Sequence, residues 1–183
     1  MAVRQVVIDA CCTLNLLATG REVEIVRALE LHLCDTPQTS GEAMCLWTPP
    51  DSDGERTKES TSTAALRGGG YLETVPLDTD ALVDAFVVAA SRIKDTDASC
   101  VALAGVMGLP LVSDDRKERR IARDMFPRIE LISTLDLLHQ ASERLGWKGP
   151  ELANIATNLR WRGNFAVRKQ DPLGTWYAGL LGG

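Results

Sequence analysis

Asp9, Glu42, Asp97 and Asp115 have the residue types and the places for shared chemistry. Asp9 closes the apolar run Val6-Val7-Ile8, and Asp115 follows Leu111-Val112-Ser113-Asp114. Glu42 and Asp97 open the runs 42–47 and 97–107, whose patterning predicts helices. In an open α/β sheet, ligands bind in the crevice beyond the carboxyl ends of the strands. Carboxylates gathered there repel one another unless something positive neutralises them. Oxygen ligands suit a hard divalent cation, Mg²⁺ or Mn²⁺. Metal-assisted phosphodiester chemistry is therefore the first expectation.

The elements that must carry these acids read as strands and helices in alternation. Residues 3–8 form a short β-branched run ended by a polar residue, the pattern of a buried strand. Residues 11–18 read as a helix broken by Gly20, and 22–31 place Val23, Val26 and Leu29 at helical spacing. Leu33-Cys34 predicts a second strand. Pro49-Pro50 and Gly68-Gly69-Gly70 bracket a polar stretch, so 48–70 is expected to be a mobile loop. Residues 71–77 read as a strand placed at an edge by Pro76. A helix over 81–93 takes its cap from Asp78 or Thr79, and one over 97–107 ends at Gly108. A strand at 111–113, a charged helix at 116–125, a strand at 129–132 and a helix at 135–145 follow. The tail predicts a helix over 152–159 and a short run at 176–181. Alternation with short links predicts an α/β fold, a three-layer α/β/α arrangement with a mainly parallel sheet covered on both faces.

Each acid has an ordinary explanation when taken singly. Asp9 can end a strand and cap the next helix. Glu42 stands three residues after Thr39, and Asp115 three before Glu118, both capping-box spacings. Asp97 favours the positive end of its helix. Taken together, four acids at one edge of a parallel sheet exceed what capping requires. Asp95 and Asp114 stand beside two of them, and one of each close pair must face elsewhere.

The chain has 183 residues, enough for one domain with a core. No apolar run reaches the roughly 20 residues that span a bilayer. The first residues do not resemble a secretory signal, so a cytoplasmic protein with no membrane contact is expected. Five cysteines, with no Cys-x-x-Cys pair or neighbouring histidine to suggest zinc, point to free thiols. His32 and His139 stand in separate runs and give little support to a histidine triad. The net charge of −5 is uneven: residues 147–183 carry +3, leaving −8 for the remainder. That tail also holds five of the nine aromatic residues. It suits either contact with a polyanion or partner, or packing on the acidic body.

Several motifs, in order, carry a family resemblance. Val6-Val7-Ile8-Asp9-Ala10-Cys11 is followed by Leu14-Asn15-Leu16-Leu17, and Glu42 opens its run. Asp97-Ala98-Ser99-Cys100-Val101-Ala102-Leu103-Ala104 leads an alanine-rich helix. Leu111-Val112-Ser113-Asp114-Asp115-Arg116 has a Ser-x-Asp-Arg ending, where Thr is commoner than Ser. Together they resemble the PIN-domain family, the fold of many metal-dependent ribonucleases and of VapC-like toxins. The resemblance covers about residues 3–145. It implies a PIN-like domain over 1–146 and leaves 147–183 as a basic, aromatic C-terminal extension.

The resemblance implies that Asp9, Glu42, Asp97 and Asp115 hold one or two Mg²⁺ or Mn²⁺ ions, partly through water, and that a metal-activated water cleaves RNA. Two ions roughly 4 Å apart would serve both ends of an in-line displacement. Ser113 would hold a water or orient Asp115. Arg116 would contact phosphate or pair with a nearby acid. Lys117, Arg119, Arg120 and Arg123 would either guide a single strand or form a solvated face with Glu118 and Asp124. Arg160, Arg162 and Arg168, with Trp161 and Phe165, would stack bases, or the tryptophans would pack. The implied activity is an endoribonuclease, either the toxin of a type II toxin–antitoxin pair with an antitoxin protein partner or an RNA-processing enzyme. A homodimer is also implied.

Two rival classes remain. One is a non-catalytic PIN-like module for RNA or protein contact, against which all four acids argue. The other is a phosphotransfer or dehalogenase-type enzyme with Asp9 as nucleophile. Such enzymes carry a second Asp two residues later, where this chain has Cys11. The glycine-rich turn of a dinucleotide-binding protein is absent after the first strand.

Overall fold

A computed structural model describes residues 3–42, 44–168 and 170–182. Strand β1 (Arg4–Ile8) leads into helices α1 (Ala10–Thr19) and α2 (Glu22–Ala28). β2 (Leu31–Asp35), the short helix α3 (Pro37–Ser40), β3 (Cys45–Trp47) and β4 (Lys58–Ser60) follow. Then come α4 (Ala64–Gly68), β5 (Leu72–Thr74), α5 (Asp80–Ala90) and α6 (Asp95–Met107). β6 (Leu111–Val112), α7 (Arg116–Met125), β7 (Leu131–Ile132) and α8 (Thr134–Leu145) complete the alternation. The chain closes with α9 (Gly149–Arg162) and α10 (Gly174–Leu180).

The main sheet has the order β5-β2-β1-β6-β7, and every pairing is parallel. Side chains alternate across it, as strand geometry requires. Val6, Ile8, Leu33 and Val112 face one layer with Leu16, Ile25, Leu138 and Leu159. Val7, Cys34 and Leu111 face the other with Leu82, Val101, Leu103 and Ile121. The result is the expected three-layer α/β/α fold. α6 and α7 meet closely at Gly105, where an added Cβ would stand 2.1 Å from the Phe126 ring.

The connectivity sets the position of the site. β1 is followed outward by β2 and β5, and the chain then crosses back to place β6 on the other side of β1. The strand order reverses between β1 and β6, and a crevice opens at that switch point.

Three segments differ from the sequence expectation. The helix expected over 42–47 lies earlier, because Thr36 accepts from the Thr39 amide and Pro37 sits in the first turn. Glu42 stands in the bend beyond it, and Cys45–Trp47 instead pairs antiparallel with Lys58–Ser60. Within 48–70 the chain forms β4 and α4, whose Leu66 is buried in the main core. α9 and α10 lend Leu152, Ile155, Leu159 and Tyr177 to that same core, so the tail's apolar groups pack on the body. β5 is an edge strand as expected but stops at Thr74, before Pro76.

Candidate functional site

Two strand ends meet at the switch point. Asp9 leaves β1 in extended backbone and caps α1, its Oδ1 accepting from the Cys12 amide. Its own amide donates to Val112 O, and its carbonyl accepts from the Thr13 amide and hydroxyl. The backbone is thus fixed on both sides, and the residue is only 4% exposed. Burial pushes its pKa up to about 6, with a further rise from the Asp114 charge, despite hydrogen bonding at Cys12 and Ser113.

Beyond β6, Ser113, Asp114 and Asp115 turn in three directions. Asp114 points between α1 and α8. It accepts from Asn15 Nδ2 at 3.1 Å, Cys12 Sγ at 3.3 Å, the Thr134 amide at 3.1 Å and the Thr134 hydroxyl. Those bonds occupy it as a tether. Asp115 is exposed and caps α7, accepting from the Lys117 and Glu118 amides at 2.7 and 2.8 Å. Of this pair, Asp115 is the one whose charge acts on Asp97, and Asp114 the one whose charge acts on Asp9. Ser113 is buried and accepts from the Asp115 amide at 3.1 Å.

Glu118 is the residue that sequence reasoning missed. It was expected on a solvated helix face or as the partner of a capping box, yet its side chain is 0% exposed. Its Oε2 accepts from the Ser113 hydroxyl at 2.6 Å, while Oε1 is buried with no hydrogen-bond partner. The Ser113 hydroxyl is also within influence of Asp9, but it has one proton, and the geometry gives that proton to Glu118. Burial, then the charges of Asp9 and Asp97, push the Glu118 carboxyl well above the usual range. One signal was present in the sequence: Glu118 lies three and four residues before the buried Ile121 and Ala122, on the same helix stripe.

Asp97 lies in the first turn of α6, two residues inside the helix rather than opening it. Burial raises its pKa first, and the charges of Asp115 and Glu42 add to the rise against Lys94 and Lys117. Asp95 begins the same helix and is exposed. Glu42 is brought to the site by α3, which is tied to α6 through Thr36 and Ser99 hydroxyls at 2.7 Å and Thr39 Oγ1 and Cys100 Sγ at 3.2 Å. Cys11 reports the crowding: although it is exposed at the surface, desolvation by its packed surroundings and then the charges of Asp9, Asp97, Glu42 and Glu118 push its thiol up to about 12.

The structure therefore gathers Asp9, Asp97 and Glu118 inward, with Asp115 and Glu42 toward the rim, and ties Asp114 to α1 and α8 beside Asp9, close enough for its charge to raise that carboxyl. This donor set fits a hard cation. All its atoms are oxygens, three carboxyl groups carry raised pKa values, and one buried oxygen lacks a donor. The array is wider than a closed cage: among the described residues, no three of these acids bring ligand atoms within 4.8 Å of one another. An ion held by one or two carboxylates and several waters matches that spacing, as is usual for Mg²⁺.

The cationic candidates divide. Arg116, Lys117 and Arg120 are exposed on α7. Arg119 is half-buried, and its Nη1 donates to the carbonyls of Ser113 and Ile132 at 2.7 and 3.1 Å. Burial, with Arg168 and Arg123 nearby, lowers its pKa, so it serves the strand ends rather than a solvated face. Arg162 pairs with Glu59 at 3.0 Å and Arg168 with Asp171 at 3.5 Å. Arg160 and Arg56 lie over the Trp161 ring, and Arg56 also covers Trp47. Trp161 is thus occupied as a stacking surface within the chain.

A polar cavity of about 320 Å³ adjoins Glu42, lined by Ser40, Thr61, Ser62, Thr63 and Arg67 among others. A larger one of about 540 Å³ lies at the opposite ends of the strands, beside Pro110, Phe126 and Glu130, away from the acids. No helix among the described residues is long and apolar enough to cross a membrane. No protein-family model, no characterised protein and no solved structure matches this chain.

Proposed function

We propose that this chain is a PIN-like, Mg²⁺- or Mn²⁺-dependent endoribonuclease. The observation that carries the reading is the convergence of Asp9, Asp97 and Glu118 at the β1–β6 switch point, where burial and mutual repulsion outweigh the nearby Lys94 and Lys117. One or two of Asp9, Asp97 and Glu118 would hold the ion directly, and the others, with Asp115 and Glu42 at the rim, would hold it through water. When bound, the ion supplies Lewis-acid polarisation of a phosphodiester and a water acidified for attack. The remaining work belongs to the chain. Ser113 fixes the Glu118 carboxylate, the Cys12 amide fixes Asp9, and the α7 amides fix Asp115. Lys117 and Arg116, exposed at the amino end of α7, supply positive charge for a phosphate backbone. The hydroxyl-lined cavity beside Glu42 offers room for a flanking nucleotide. The preference for RNA rests on the family resemblance of the motifs.

The test is cleavage of single-stranded RNA by the purified chain with Mn²⁺, with EDTA as control. Asp97→Asn should abolish cleavage while circular dichroism and melting stay those of the parent. Equal activity in the two proteins, or no cleavage by the parent, would sink the reading.

A further inference from the structure

A second set of potential metal ligands lies away from the acids, on the sheet face covered by α5 and α6. Register puts it there. His32 and Cys34 are two residues apart on β2 and so share a face. Glu73 on β5 pairs directly with Cys34, and Gln5 on β1 pairs with His32. His32 Nε2 stands 3.1 Å from Glu73 Oε1, and Cys34 Sγ stands 3.7 Å from the same oxygen. One ligand atom from each residue lies within 4.8 Å of the other two. No other group of three His, Cys, Asp or Glu among the described residues does this.

We infer that His32, Cys34 and Glu73 form a transition-metal site suited to Zn²⁺, with three protein ligands and an open fourth position. A tetrahedral ion with Zn–N and Zn–S bonds of about 2.0 to 2.3 Å separates its ligand atoms by roughly 3.3 to 3.8 Å. The observed 3.1 and 3.7 Å lie close to that range, and the third pair lies within 4.8 Å. A nitrogen, a sulfur and an oxygen match Zn²⁺ and do not match the all-oxygen preference of Mg²⁺. Three donors, from Gln5, His32 and Cys34, now converge on one Glu73 oxygen. The ion would take the place of the Cys34 thiol proton, released to solvent, and bind neutral imidazole once its proton sits on Nδ1. Gln5 would then orient the carboxylate from outside the ligand set. Access exists: Glu73 is half-exposed, and the His32 side chain is partly exposed beside it. The consequence is structural, because the ion would clamp the three-residue edge strand β5 to β2. The pair His32-x-Cys34 stands in the sequence, contrary to the expectation of no histidine beside a cysteine, and only Glu73, 39 residues from Cys34, was hidden by spacing.

The experiment is titration of the chelator-treated full chain with Co²⁺, followed by displacement with Zn²⁺. The expected result is a thiolate-to-Co²⁺ charge-transfer band that saturates at one equivalent and that Zn²⁺ removes, apart from any ion at the acids, which gives no such band. Cys34→Ser should lose the band, and His32→Gln and Glu73→Gln should each weaken binding at least about tenfold, the usual cost of losing a ligand or its orienting partner. Cys11→Ser should keep the band. Absence of the band in the parent, its survival in Cys34→Ser, or its loss in Cys11→Ser overturns the site. If Cys34→Ser does not fold, the Glu73→Gln protein decides, its side chain being half-exposed. Unchanged Co²⁺ affinity there also overturns the site.

Discussion

The Ser113 hydroxyl donates to Glu118 Oε2 at 2.6 Å, and this bond draws a charged residue of α7 into the acid site. Glu118→Gln keeps the shape of the side chain and removes its charge. We expect the Mn²⁺-induced rise in melting temperature to shrink and metal affinity to fall about 10- to 100-fold. Calorimetric titration of both proteins checks this. Unchanged affinity would return Glu118 to a purely structural role.

The Asp9 carboxyl, raised from 3.8 to about 6, makes the metal-free protein sensitive to pH. The folded state holds this proton more tightly than the unfolded chain. Its contribution is present below pH 3.8 and is lost as pH rises through about 6. The loss is on the order of 3 kcal/mol, shared with Glu118. Melting of the EDTA-treated protein should therefore fall between pH 4 and 7, roughly, and Asp9→Asn should flatten the curve while keeping the helix cap. Mn²⁺ should stabilise the parent more at neutral pH than at acid pH. A metal-free melting curve that rises through this window would contradict the assignment.

Asp114 and Asp115 are neighbours with opposite roles. Asp114→Ala removes the acceptor for Asn15 and Thr134 and should cost roughly 2–3 kcal/mol of stability. Asp115→Asn retains an acceptor for α7 and should leave stability within about 0.5 kcal/mol while lowering Mn²⁺-dependent cleavage. Denaturant melts and RNA cleavage on the two variants separate the roles.

Arg119 and Lys117 divide in the same way. Arg119→Ala strips a donor from the Ser113 and Ile132 carbonyls and should destabilise by about 1.5–3 kcal/mol. Lys117→Ala should leave the melt unchanged, weaken single-stranded RNA binding and lower its salt slope by about 0.7. Binding measured across a salt series, beside melts, tests both.

The alternation of strands and helices was legible along the chain because hydrophobic periodicity is a local property. Asp9, Asp97 and Asp115 could be marked for the same reason, since each sits where a periodic run begins or ends. Even so, the acid that opens 42–47 in the sequence pattern stands in a bend, because Thr36 and Pro37 start a short helix earlier and β4 captures the following residues. Asp114 and Asp115 share a motif, and only the packing of α1 and α8 around Thr134 decides which is tied down. Glu118 belongs to the site because α7 rolls Ile121 and Ala122 into the core and carries it with them. Glu73 meets His32 and Cys34 only through the register of β5 on β2. Local sequence sets which side chains an element offers. Which of those side chains meet depends on contacts far apart in the chain, and those form only when the sheet closes.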